Sequence, residues 1–285
     1  MNAPAGNPEI GLSVATPTVT TNYHDMGSGD PVVLLHGSGP GVSAWANWRL
    51  SLPALAETRR VIAPDLAGFG FTERDDKARY DIDGWVAHLA GFLDALELDA
   101  VDLVGNSFGG ALALHFALRH PQRVRRLVVM GAVGVSFPIT DGLDAVWGYQ
   151  PSVENMRKLL DIFAFDRGLV SDELAELRFK AANRPGVQEA FAAMFPAPRQ
   201  RWVDALACAE DDLRRIDKEI LIIHGRDDEV IPLSASLRLL ELTNYSQLHV
   251  FGRCGHWVQI EHAERFNRLV DDFLSEPARG DSHRG

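Results

Sequence analysis

Gly105-Asn106-Ser107-Phe108-Gly109 follows the apolar run Val101-Asp102-Leu103-Val104 and precedes a helical stretch over 111–119. This order puts a serine on a sharp turn from strand to helix. The backbone there is strained, and strand end and helix start lie so close that only glycine or another very small residue fits two positions to either side. Gly105 and Gly109 meet that demand. The turn lifts the hydroxyl above the sheet edge and offers the first N–H groups of the helix to a developing negative charge, so Ser107 reads as a nucleophile. G-x-S-x-G also arises by chance in glycine-rich turns, but here strand, turn, helix and later partners all fall where the chemistry needs them.

Short apolar runs suited to buried strands recur at 32–36, 60–63, 101–104, 127–130, 220–224 and 248–251, each followed by a helical pattern. Such alternation predicts an α/β fold, a mostly parallel sheet with helices on both faces. Upstream, 12–16 and 20–25 flank a proline turn and suit an antiparallel edge hairpin. Helices are expected over 82–96, 233–242 and 263–274, and His120-Pro121 ends the helix behind Ser107, because proline disfavours helix in the residue before it. The rhythm breaks between Met130 and Ile220, an interval far beyond the roughly dozen residues a crossover needs. Within it 153–163, 172–182 and 187–194 carry helical spacing, interrupted by Pro138, Pro151, Pro185, Pro196 and Pro198. This predicts a helical cap at 137–213, inserted into a core made of 1–136 and 214–285. Phe163, Phe165, Phe191, Met194, Phe195 and Trp202 either line a pocket beneath the cap or form the cap's own core. The tail over 275–285 is expected to be disordered, and no internal repeat is present.

A chain of 285 residues with 46% hydrophobic content can bury a large core. Two cysteines, Cys208 and Cys254, are too few for a disulfide-built fold and read as free thiols. Residues 1–10 lack a basic start and an apolar stretch, and no apolar run approaches the roughly 18 residues of a membrane helix, so a cytoplasmic protein without a membrane anchor is expected. The net charge is 28 − 39 = −11, and the arginines come in short groups, which disfavours nucleic-acid binding. An acidic protein also repels an anionic substrate at long range. Any anion site must therefore rest on local donors, in particular one well-placed arginine.

A serine hydroxyl needs a base of near-neutral pKa, itself held in one tautomer by a carboxylate. Of the ten histidines, His256 lies in the glycine-flexed loop Gly252-Arg253-Cys254-Gly255-His256 after the last strand, at the edge that carries Ser107. His24, His88, His115, His120, His249, His262 and His283 lie inside elements or tails and read as structural or solvated, while His224 precedes Gly225 and packs in a turn. The acid comes from Gly225-Arg226-Asp227-Asp228-Glu229, where periodicity cannot separate Asp227 from Asp228. The order Ser, Asp, His is that of the α/β-hydrolases. The turn His36-Gly37-Ser38-Gly39-Pro40-Gly41 offers a backbone N–H at Ser38 which, with that of Phe108, would make an oxyanion hole. The same turn lacks the Gly-Lys-Ser/Thr ending of a phosphate loop, and no cysteine and histidine spacing suits zinc.

Together His36-Gly37-Ser38-Gly39-Pro40-Gly41, Asn47 in Ala44-Trp45-Ala46-Asn47-Trp48, Gly105-Asn106-Ser107-Phe108-Gly109-Gly110 and Gly255-His256-Trp257 resemble the meta-cleavage product hydrolases. These are α/β-hydrolases that split a carbon–carbon bond. The likeness covers nearly the whole chain, and 134–152 and 191–202 resemble the 2-hydroxymuconic semialdehyde hydrolases of aromatic catabolism. The resemblance implies Asp228 as the acid and Arg184, in Asn183-Arg184-Pro185, as the cap arginine that binds the substrate carboxylate. Read without it, Arg184 is equally a surface residue at a helix end. Asn47 and Asn106 would bond the dienoate and Trp257 would wall the site. Ser38 stands where relatives often have glycine, and Phe108 where others have methionine.

The implied substrate is a 2-hydroxy-6-oxohexa-2,4-dienoate, cleaved to 2-hydroxypenta-2,4-dienoate and a small carboxylic acid, with no cofactor and no metal. The resemblance also suggests a homo-oligomer, with a dimer favoured. Rival readings are the same reaction on 6-phenyl or 6-isopropyl substrates, decided by Val230 and the cap, a carboxylesterase, and a non-catalytic receptor on the same fold.

Overall fold

The computed structural model describes residues 6–75 and 79–277. The tail expected to be disordered lies largely outside that range. Eight strands form one sheet in the order β1-β2-β4-β3-β5-β6-β7-β8. They are β1 (Leu12–Ala15), β2 (Thr20–Gly27), β3 (Pro31–Leu35), β4 (Arg60–Pro64), β5 (Val101–Asn106), β6 (Val124–Met130), β7 (Glu219–Gly225) and β8 (Ser246–Phe251). The expected hairpin exists: β1 pairs antiparallel with β2, and β2 antiparallel with β4. All other pairings are parallel. Strands β3 to β8 therefore deliver their C-terminal ends to one edge.

Side chains alternate across the pleat, and the alternation divides the core. Val33, Leu35, Ile62, Leu103, Leu127, Val129 and Ile222 join one buried cluster. Val32, Leu34, Val61, Ala63, Val104, Val128 and Ile223 join the other. The first face is covered by α3 (Ile82–Ala95), α4 (Phe108–Arg119) and α11 (Leu233–Leu242), the second by α1 (Ala44–Trp48), α2 (Leu52–Leu55) and α13 (Ala263–Ser275). A short α12 (Val258–Glu261) precedes α13. Both faces are dry, which is why these strands read as continuous apolar runs.

Between β6 and β7 stand α5 (Asp141–Trp147), α6 (Val153–Phe163), α7 (Asp172–Ala182), α8 (Val187–Met194), α9 (Gln200–Leu206) and α10 (Glu210–Leu213). Of these, α6, α7 and α8 match the helical spacing of the sequence, whereas α5, α9 and α10 are too short to announce themselves by periodicity. Ser152 and Ser171 cap α6 and α7 through their hydroxyls. Among the described residues no helix is long and apolar enough to cross a membrane.

Candidate active site

The chain runs from β3 to β4 on one side and returns to add β5 on the other, so the crevice between the ends of β3 and β5 is the switch point of the sheet, where α/β folds bind ligands. The loop after β3 and the turn after β5 meet there. Ser107 sits at φ 54°, ψ −114° as the residue before α4. Such a backbone is costly for a residue with a side chain, and it is held by bonds on both sides: Ser107 N–H donates to Met130 O at 2.8 Å, and Val133 N–H donates to Ser107 O at 3.4 Å. A Cβ on Gly105 would strike Gly109 O, and one on Gly109 would strike Leu35 O. Both glycines are thus required by close backbone approach.

His256 Nδ1 lies 2.7 Å from Asp228 Oδ2, with both side chains almost fully buried. A carboxylate accepts only, so Nδ1 carries the proton and Nε2 is left as the basic nitrogen. Burial would raise the Asp228 carboxyl, yet the charge and hydrogen bond of His256, with help from His224 and the Ile231 N–H, bring it below its ordinary value. Asp228 Oδ1 accepts from Val230 N–H at 2.7 Å and Ile231 N–H at 2.9 Å. Asp227 turns elsewhere, accepting from Cys254 N–H at 3.3 Å and pairing with Arg226. Of the two aspartates, Asp228 is the one in contact with His256. His224 is buried between Ser236 Oγ at 2.7 Å and Ile231 O at 3.0 Å, as a turn-packing residue.

His36 fixes the loop after β3. Its Nε2 accepts from Leu66 N–H at 3.0 Å, so Nδ1 bears the hydrogen and donates to Gly37 O at 2.7 Å. Burial pushes its pKa down to about 4, which keeps the ring neutral in that role. The Ser38 hydroxyl accepts from Trp147 Nε1–H on α5 at 3.0 Å, a bond from cap to loop that nothing in the sequence announced. Phe108 opens α4, so its N–H belongs to the unsatisfied first turn.

A cavity of about 250 Å³ lies between cap and core, bordered by Ser38, Asn47, Asn106, Ser107, His256 and Trp257. Asp228 stands behind His256, outside the cavity wall. Asn47 Nδ2 donates to Asn106 Oδ1 at 3.2 Å, which leaves Asn47 Oδ1 buried without a partner. Cap residues Leu143, Val146, Met156, Leu160 and Phe163 and core residue Val230 supply apolar wall. Phe163 stacks on Trp257 at 5.0 Å, and its carbonyl accepts from His256 N–H at 2.8 Å, so the end of α6 steadies the histidine loop. Of the cap aromatics weighed from the sequence, only Phe163 borders the cavity. Phe191, Met194 and Phe195 pack in the buried cluster that also covers the first face of the sheet, with Phe195 stacked on Trp85 of α3, while Trp202 packs against that cluster and Phe165 is exposed.

Arg184 is not on the cavity wall. Its guanidinium lies 3.7 Å over the Phe71 ring and donates to Gly70 O at 2.7 Å and Ala181 O at 3.2 Å. The cap arginine that does border the cavity is Arg178, two turns earlier on α7, with Arg49 beside it on the core. Arg178 donates to Glu9 Oε1 at 3.0 Å and to Gly41 O at 2.7 Å. Arg178 lies within α7, whereas Arg184 lies beyond its C-cap Asn183, where the chain has left the helix. Glu9 and Gln259 also border the cavity and carried no local signal. Among the described residues no group of three or more histidine, cysteine, aspartate or glutamate side chains could hold a metal ion.

Sheet order, elbow and covering helices define an α/β hydrolase, and the family model described as alpha/beta hydrolase fold matches residues 30–263. The chain belongs to the meta-cleavage product hydrolases within that fold. It is 70% identical over 269 residues to the 2-hydroxy-6-oxo-2,4-heptadienoate hydrolase of Pseudomonas putida F1, covering 94% of this chain and 98% of that one. It is 64% identical over 276 residues to the 2-hydroxymuconate semialdehyde hydrolase of Pseudomonas sp. CF600, covering 97% and 98%. Among solved structures, a serine-to-alanine variant of the meta-cleavage product hydrolase from Pseudomonas fluorescens IP01, complexed with acetates, matches with TM-score 0.93 at 61% identity, over 94% of this chain and 98% of that one.

Proposed function

We propose that this chain hydrolyses the C5–C6 bond of 2-hydroxy-6-oxohexa-2,4-dienoates, 2-hydroxymuconic semialdehyde and its 6-alkyl analogues, in the meta-cleavage catabolism of aromatic compounds. The observation that carries the reading is a strained Ser107 and a His256 held by buried Asp228, with Ser107 and His256 both bordering one cavity that also carries two amides and a cap arginine. Ketonisation of the 2-hydroxydiene comes first, because direct cleavage would leave an unstabilised carbanion. Ser107 then attacks the C6 carbonyl while His256 Nε2 takes its proton, and the Ser38 and Phe108 N–H groups stabilise the oxyanion. The C5–C6 electron pair departs into a conjugated enolate, whose oxygen takes the proton back from His256 to give 2-hydroxypenta-2,4-dienoate and leave the imidazole neutral again. His256 next activates water to release formate or acetate from the acyl-serine. None of these steps calls for a cofactor.

Arg178, rather than Arg184, is the partner of the substrate carboxylate in this reading, because it borders the cavity with its planar fork held on two sides. Asn47, with its unpartnered Oδ1, and Asn106 bond the 2-hydroxy or 2-oxo group, and Trp257 walls the diene. Residues 137–213 act as the cap over the core at 1–136 and 214–285, and the enzyme works in the cytoplasm as a homo-oligomer, a dimer for preference. The test follows the loss of visible absorbance with the 6-hydrogen, 6-methyl and 6-phenyl substrates. Rapid turnover favouring the small groups supports the proposal. A phenyl preference moves the enzyme to the biaryl branch, and turnover of aryl esters alone makes it a carboxylesterase.

A further inference from the structure

Glu9 lies in the segment before β1, far in sequence from every motif, yet it is 8% exposed and borders the cavity. A carboxylate in a cavity meant for an anionic substrate demands an explanation, since like charges repel and burial is costly. All of its oxygens are engaged. Oε1 accepts from Arg178 Nη1–H at 3.0 Å, Oε2 accepts from Ser43 Oγ–H at 2.7 Å, and its carbonyl accepts from Asn22 Nδ2–H at 3.1 Å. Ser43 in turn caps α1, the helix that carries Asn47, by accepting from Ala46 N–H at 3.1 Å.

The guanidinium of Arg178 is thus gripped on two sides, by Glu9 and by Gly41 O. Gly41, at φ +67°, lets α7 approach so closely that a Cβ there would lie 2.5 Å from Ala182 N. An arginine fork has five N–H donors in a fixed plane, so fixing two edges orients the remaining donors. Without the grip the side chain is a long flexible cation that must be ordered anew at each binding event.

Resting on the assignment of Arg178 as carboxylate partner, we propose that Glu9 is a positioning residue. It holds the Arg178 fork and the start of α1 in the geometry that receives the dienoate carboxylate. In this way the segment before β1 contributes to the choice of dienoates over neutral esters.

The test compares Glu9→Ala, Glu9→Gln and Arg178→Met in the full chain, with kcat and KM measured on the 6-methyl dienoate and on a neutral aryl ester. Glu9→Ala is expected to raise the dienoate KM about 10-fold with kcat within about 2-fold, and so to lower the dienoate-to-ester selectivity about 10-fold. Glu9→Gln keeps an acceptor oxygen for Arg178 and sets an amide N–H against Ser43 Oγ, which must turn from donor to acceptor, and it is expected to recover to within about 3-fold of the parent. An unchanged dienoate KM in Glu9→Ala, a lowered KM, or equal losses on both substrates would each overturn the proposal. If Arg178→Met loses no dienoate selectivity, the carboxylate assignment itself falls. If Arg178→Met loses it and Glu9→Ala does not, only the role of Glu9 falls.

Discussion

Gly131, directly after β6, has φ +49°, and a Cβ built there would lie 3.2 Å from Asp228 Oδ2 and 3.2 Å from both Cε1 and Nδ1 of His256. Gly131→Ala therefore inserts one methyl group against the His256–Asp228 pair. Placing alanine in left-handed backbone costs about 1–2 kcal/mol. The three contacts must then open by a few tenths of an ångström. Asp228 cannot retreat, because Val230 and Ile231 N–H groups hold its other oxygen. The His256 backbone is likewise tied to Phe163 O. The imidazole ring is left to tilt, at about 0.5–1.5 kcal/mol for an off-rotamer torsion. Summed, the expected destabilisation is about 1.5–3.5 kcal/mol, read as a lower urea midpoint with unchanged m value. Because displacing a reacting group by a full ångström can cost about 100-fold, a shift of about 0.3 Å should lower kcat on the 6-methyl dienoate about 4-fold. KM should stay near the parent value. A variant with parental kcat that lost only stability would refute the reasoning, since it would mean the pair tolerates that displacement.

Trp147→Phe keeps the ring that stacks on Phe195 at 4.5 Å but removes the N–H donated to Ser38. Loss of roughly 1.4 kcal/mol at the oxyanion loop would lower kcat about 10-fold with little change in KM, and steady-state kinetics with an unaltered kcat would count against Ser38 being steadied this way. Asp65 accepts from Ala44 N–H at 2.6 Å, Phe71 N–H at 2.7 Å and Asn22 Nδ2–H at 2.7 Å. Asp65→Asn turns an acceptor into a donor against that set and should cost about 1–3 kcal/mol in urea unfolding; a neutral result would mean the site re-pairs. Arg184→Met should leave the dienoate-to-ester selectivity unchanged, and a dienoate-specific rise in KM would return the carboxylate role to Arg184.

Stability should also fall steeply in mild acid. Burial pushes His36, His88 and His115 down to about 4 from 6.5, so between those values only the unfolded chain binds these protons. Burial pushes Asp65 up to about 6 from 3.8, so there the folded chain binds the proton and the sign is opposite. From these four groups, three protons less one leaves a net slope of about 3 kcal/mol per pH unit, with stability present near neutrality and lost as pH falls from 6 towards 4; His24, His224 and His249, also pushed down by burial, act in the same direction. Urea midpoints across that range check it, and a flat profile would refute it.

The sheet, the elbow and the chain order of the candidate nucleophile, acid and base are legible in the residues alone. Those features are local: a buried parallel strand is a run of consecutive apolar residues, and a tight strand-to-helix turn demands glycine at fixed offsets. Choosing Asp228 over Asp227 drew on family resemblance, because adjacent residues in a loop have no period; the 2.7 Å contact with His256 is tertiary. The short helices α5, α9 and α10 span less than the two or three turns that make an apolar period visible. Which cap arginine meets the cavity depends on how the chain folds back on itself. Arg184 and Arg178 share one helix and its exit, and the difference is made by Glu9, 169 residues away in sequence, and by the carbonyl of Gly41, 137 residues away. Contacts at that separation leave no trace in local spacing, because they depend on how the cap docks on the core.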